Sequence, residues 1–161
     1  MTRPSLIRAA LTVTAACLAL TACTSTGADV ETKTEADAKA AVQQYADQLA
    51  GAIGGGLLNV GVNASPCTGK FGETDSDVYT VSGVYQVPLP AERHHDTMDK
   101  LKNLWTANGW KITDDRRFEG TDGVIAAKTS DGYALNVEST TSGQNVAVMV
   151  SSPCFKSPTP R

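Results

Sequence analysis

The sequence predicts an α+β domain: a mainly antiparallel sheet of about six strands with two helices packed on one face, in the order αββαββββ. Two stretches repeat their apolar residues at spacings of three and four, as helices with one buried stripe do. The other ordered stretches alternate apolar and polar residues, as half-buried strands do. Turn signals at Ser130-Asp131-Gly132 and Thr141-Ser142-Gly143 separate the later runs in the manner of antiparallel hairpins.

The first helix starts at Thr34, an N-cap residue with Asp37 three positions on, a weaker form of the capping box. Its stripe is Ala38, Ala41, Val42, Tyr45, Leu49, Ala52 and Ile53, and Gly54-Gly55-Gly56 stops it. A phosphate cradle would need a following helix and a lysine after those glycines, and neither is present. Leu57 to Ala64 alternates as a strand, Pro66 to Asp77 reads as a loop, and Val78 to Val87 alternates again. Pro90 then opens a helix with Glu92 in its first turn, and Gly109 closes it. Met98, Leu101, Leu104 and Trp105 form its expected stripe. Four strands complete the chain, over Trp110–Phe118, Val124–Thr129, Tyr133–Glu138 and the alternating Val146, Val148 and Val150, and Pro153 terminates the last.

Residues 1–22 read as an export signal. Arg3 and Arg8 precede an apolar run from Ala9 to Ala22. As a helix that run spans about 21 Å, short of the roughly 30 Å hydrocarbon core, so a permanent membrane span is not expected. Leu20-Thr21-Ala22-Cys23 resembles the lipobox of bacterial lipoproteins. The resemblance implies cleavage between Ala22 and Cys23, and acyl chains on the Cys23 thiol. An ordinary secretory signal also ends in small residues, but it does not need the leucine and the cysteine together. Cys17 lacks a leucine three residues upstream and reads as part of the discarded signal. From Cys23 to Lys33 the chain reads as the lipidated residue and a flexible tether. Residues 34–155 are the folded domain and 156–161 a disordered tail. Threonines and prolines in the two ends also suit O-linked sugars, with flexible linker the simpler account.

Two cysteines remain in the domain, Cys67 and Cys154, each following Ser-Pro. In an oxidising compartment such a pair forms one disulfide. The two lie too far apart in sequence for a Cys-x-x-Cys redox motif, and their surroundings offer no further metal ligands. If the unit from Val78 to Phe118 is a parallel crossover, the first and last strands point the same way. Both cysteines then fall at one end of the sheet, as a bridge requires.

Arg3 and Arg8 leave with the signal, which takes the basic count from 14 to 12 against 17 acidic residues, a net charge of about −5. Such a surface repels phosphate backbones, so nucleic acid is not an expected partner. No catalytic residue, metal ligand set or cofactor motif stands out. His94 and His95 are adjacent on a helix and diverge by about 100°, so they do not chelate one ion; a solvated helix face is expected, with His94 at the border of the buried stripe and His95 pointing away. Replacing both should therefore cost little stability. Asp114, Asp115, Glu119 and Asp122 have Arg116 and Arg117 among them and read as a mixed-charge hairpin. Trp105 and Trp110 read as core, and no Gly-x-Ser-x-Gly elbow occurs.

The whole pattern is similar to small lipoproteins of high-GC Gram-positive bacteria, specifically over Leu20 to Cys23 and in general character elsewhere. That resemblance implies a protein on the outer face of the cell membrane, attached through acyl chains on Cys23, and supports no catalytic residue; with no cofactor motif in the sequence, no cofactor is expected. The expected function is a binding or accessory module for an envelope protein or small ligand. A cell-wall or extracellular hydrolase using His94 or His95 with a carboxylate is the alternative.

Overall fold

The computed structural model describes residues 30–69 and 72–159. Their order is α1 (Glu35–Ile53), β1 (Leu58–Thr68), β2 (Thr74–Pro88), a 3-10 turn (Ala91–Arg93), α2 (His94–Ala107), β3 (Lys111–Arg117), β4 (Gly123–Lys128), β5 (Ala134–Ser139), β6 (Asn145–Ser151) and β7 (Phe155–Lys156). No helix among the described residues is long and apolar enough to cross a membrane. The α+β class, the element order and the antiparallel sheet agree with the sequence.

Helix α1 begins as its cap predicts: the Asp37 N–H donates to Thr34 Oγ1 at 3.1 Å. The next four residues in the chain order of burial, Ala38, Val42, Ala46 and Leu49, face the sheet together with Ala50 and Ile53. Tyr45, Ala41 and Ala52 flank that stripe and are only partly buried. Gly54 ends the helix with φ 95°, in the left-handed region, and its N–H returns to the Ala50 carbonyl. Helix α2 buries His94, Thr97, Met98, Leu101 and Trp105. Leu104, expected in that stripe, is exposed, because it lies off the face that Leu101 and Trp105 turn to the sheet.

The sheet runs β1-β2-β6-β5-β4-β3, and β7 pairs with β2 beside the end of β6. Every strand pairing is antiparallel. It follows from that order that β2 and β3 point the same way, as the crossover requires, but they lie four places apart. Helix α2 carries the chain to the far edge, and β4, β5 and β6 fill back toward β2. Tyr79, Val81, Tyr85, Val87, Ile125, Ala127, Leu135, Val137, Val146, Val148 and Val150 face both helices and form the core. The alternate residues face away from the helices.

Three boundaries differ from the sequence reading. Strands β1 and β2 extend through most of the expected loop, leaving a short connection after Thr68, because their backbones continue pairing as far as Thr68 with Thr74. The ordered part also begins earlier than Thr34: Lys156 N–H donates to the Glu31 carbonyl at 2.8 Å and Lys33 N–H to the Lys156 carbonyl at 3.1 Å. Lys156 thus belongs to the sheet as part of β7, since backbone groups on both its sides find partners.

Cys67 and Cys154 form a disulfide with Cα atoms 6.2 Å apart. Cys67 is on β1 and Cys154 lies just before β7, so the bridge ties the end of β1 to the segment that follows β6. Ser152 closes the ladder beside it: its N–H donates to the Val81 carbonyl, and its Oγ accepts from the Val81 N–H.

Candidate functional site

Among the described residues, helices cover one face of the sheet and leave the other open. The register sets Gly61, Val84, Met149, Asn136, Ala126 and Asp114 in one cross-strand row on that open face. The next row is Leu58, Gln86, Ala147, Glu138, Val124 and Arg116. Over β2, β6 and β5 these rows hold small or uncharged side chains, with Glu138 the exception. Val84, on β2 beside the edge strand β1, is 51% exposed on this surface. Asn136 Oδ1 is buried there with no hydrogen-bond partner among the described residues. An unsatisfied buried acceptor costs about 1–3 kcal/mol, so it marks a place where folding alone has not optimised the contacts.

A cleft of about 260 Å³ lies at one end of the open face. Two hairpin turns wall it, Phe118–Asp122 and Thr140–Thr141, and the start of β4 at Gly123 and Val124 separates them. Ser139, Glu138 and Arg116 complete its lining. Val124 is buried yet stands outside the main core cluster, because what covers it is on the open side. Arg116 lies against the exposed Phe118 ring, 5.7 Å from its centre.

Behind the cleft is His94, fully buried, in contrast to the solvated helix face expected for it. Its Nε2 is 3.0 Å from the Leu89 carbonyl, and only an N–H can donate there, which makes Nδ1 the acceptor of the neutral ring. The Ser139 hydroxyl donates to Nδ1 at 2.9 Å and accepts the Gly123 N–H at 3.1 Å. One serine and one histidine thus join α2 to the ends of β4 and β5 and to the segment after β2. The spacing 94, 98, 101, 105 continues the buried stripe, and Ser139 follows Tyr133, Leu135 and Val137 on the inward alternation. Sequence reasoning missed Ser139 and did not bury His94, although both continue these inward spacings. His95 points elsewhere and donates to the Asp122 carbonyl at 2.8 Å.

The acidic and basic residues of β3 belong to the mixed-charge hairpin that the sequence predicts, and the strand order places them at the edge of the sheet. Arg116 grips Asp114 through Nε and Nη2, and Arg117 joins Asp115 to Asp99. Lys102 reaches Asp115 at 2.7 Å. Arg116 holds the Asp114 carboxyl below the usual carboxylate range, and Lys102 does the same for Asp115. No group of three or more His, Cys, Asp or Glu among the described residues could hold a metal ion.

Trp105 is core, and Trp110 packs edge-on against Tyr45 with ring centres 6.0 Å apart. The Tyr45 hydroxyl donates to Asp131 at 2.8 Å, fastening α1 to the turn between β4 and β5. Burial, and then the Asp131 carboxylate, push Tyr45 up to about 12. Cys67 and Cys154 are joined as described, whereas Ala22, Cys23 and the rest of residues 1–29 lie outside the described residues. No family model, curated protein or solved structure matches this chain.

Proposed function

We propose that this chain is a lipid-anchored protein on the outer face of the cell membrane, acting as a binding or accessory module at the envelope. The observation that carries the binding role is the sheet face that no helix covers among the described residues, with Val84 exposed on it and the cleft at its end. Its weakly polar side chains favour an envelope protein, or a small ligand seated in the cleft, over a strongly charged partner. The address rests on Leu20-Thr21-Ala22-Cys23 and the apolar run before it. Acyl chains contribute ~0.8 kcal/mol per buried CH₂, so the anchor needs no basic patch.

Two measurements test this reading. Mass spectrometry of the membrane fraction should find Cys23 as a lipid-modified N-terminus, and Cys23→Ser should leave the protein uncleaved or released. A photo-crosslinker at Val84 should capture a specific partner, whereas one at Gln44, exposed on α1, should not. An unmodified N-terminus at another residue would refute the anchor, and equal capture from both positions would refute the face.

The hydrolase alternative has one specific observation in its favour, the hydrogen bond between Ser139 and His94 beside the cleft. As a nucleophile, Ser139 would pass its proton to His94 Nδ1 while attacking an ester or amide carbonyl. The Gly123 N–H already occupies a lone pair of that hydroxyl, which weakens it as a nucleophile. The imidazole has a backbone carbonyl, not a carboxylate, on its other nitrogen. A structural clasp suits this geometry better. Ester hydrolysis that disappears in Ser139→Ala, with the fold retained, would reverse that preference.

A further inference from the structure

The two edges of the sheet differ sharply. Five of the seven residues of β3 are charged, the kind of edge that resists pairing with another strand. At the other edge, β1 lies in a run from Leu57 to Gly69 without a single charged residue. Leu58 and Val60 are 46% and 58% exposed there.

The direction of the β1 backbone follows from bonds on its neighbour. Val81 uses both its N–H and its C=O on Ser152, on the side of β2 away from β1. Ala64, paired with Val81, therefore receives nothing from it and turns its own N–H and C=O outward. Val62, opposite Gly83, does the same two residues away. Pro66 falls on the same alternation, where its missing N–H costs no ladder bond. Among the described residues, an unpaired backbone edge thus runs from Val60, at the end of the bulge between Leu58 and Gly61, to Ala64, and it ends at Pro66. The disulfide at Cys67 holds the end of this strand against its neighbours, so the edge is ordered before any partner arrives.

We infer that the protein self-associates through β1, two copies pairing antiparallel about a two-fold axis at Val62. In that register Val62 exchanges both hydrogen bonds with Val62 of the second copy, and Val60 pairs with Ala64. An axis at Ala64 would set Pro66 opposite Val62 and lose bonds, because Pro66 has no N–H to return. The absence of charge selects a second copy: identical strands meet with no like-charge pair, on a chain that otherwise carries an excess of acidic residues. The pairing also takes Val60 out of water. It does not depend on the open face or on the acyl anchor.

The test uses the full-length protein in native membranes. A hydrogen-bonded antiparallel pair has Cα atoms about 5.5 Å apart, within the roughly 4.4–6.8 Å of a disulfide. Val62→Cys should therefore form a linked dimer under mild oxidation. Ser65→Cys, opposite Asn59 of the second copy, should not. Adding Ala64→Pro should abolish the dimer formed by Val62→Cys while leaving the intramolecular ladder intact, since the N–H it removes points outward. Val60→Lys, a surface change that brings two positive charges into the pairing, should abolish it as well and covers the case in which the proline variant fails to fold. Linkage of equal yield at positions 62 and 65 would overturn the proposal. So would a dimer that survives both Ala64→Pro and Val60→Lys, or capture of a different protein by Val62→Cys.

Discussion

His94 and His95 are neighbours in sequence but have opposite fates, and the difference is measurable. His94→Gln removes a fully buried ring that satisfies both Ser139 and the Leu89 carbonyl. A change that strands buried polar partners costs about 1–3 kcal/mol for each unsatisfied group. His95→Gln touches one bond at the surface and should stay within about 0.5 kcal/mol. Chemical denaturation of the two single variants separates them; equal midpoints would contradict the clasp. Tyr45 supplies a second residue-scale test. Burial and Asp131 push it up to about 12, whereas an unfolded tyrosine loses its proton near 10.0. The folded state therefore keeps a proton that the unfolded state gives up, so this contribution is complete below pH 10. It declines as pH rises toward about 12. Tyr45→Phe should flatten that part of the alkaline unfolding curve.

At the scale of elements, the three glycines after α1 have separate duties. Gly54 takes the left-handed cap, Gly55 lets the chain pass close to β2, and Gly56 has open space around it. A Cβ on Gly55 would lie 2.8 Å from Val87 Cγ1 and 3.3 Å from the Pro88 carbonyl. Val87 is fully buried, so neither neighbour yields freely. Gly55→Ala should destabilise by about 1–3 kcal/mol, the usual range for overpacking. Gly56→Ala should be close to neutral. Thermal unfolding of both variants checks this, and matching midpoints would refute the close approach. The helix stop was legible as three glycines, but their division of labour was not, because it depends on the strand that passes beneath.

For the whole molecule, the disulfide is the covalent constraint. It joins residues 87 apart in sequence. The chain-entropy model assigns such a closure about 4–5 kcal/mol, with measured values often lower. Reduction, or Cys67→Ser with Cys154→Ser, should lower the unfolding midpoint by several degrees and loosen β7 and the Glu31–Lys33 segment first. Hydrogen exchange of the Lys156 and Lys33 amides against those of β5 measures that order of loss. Uniform loss across the sheet would show that the bridge acts only on the unfolded chain.

The sequence by itself determined the fold class, the two helices, the inward alternation of the main strands and the cysteine pair. Each depends on local periodicity, capping chemistry or a count of residues, and these survive without knowledge of distant neighbours. The tertiary structure alone decided that β6 pairs with β2, that β3 forms the far edge, and that Lys156 sits between β2 and the residues before α1. Strand order depends on which backbones meet across long stretches of chain, and alternation looks the same in either arrangement. Burial of His94 likewise needed Ser139, Gly123 and Leu89, drawn together from different elements. The open face was implicit in the helix count, but its site residues became visible only when the register set Glu138, Val124 and Arg116 in one row.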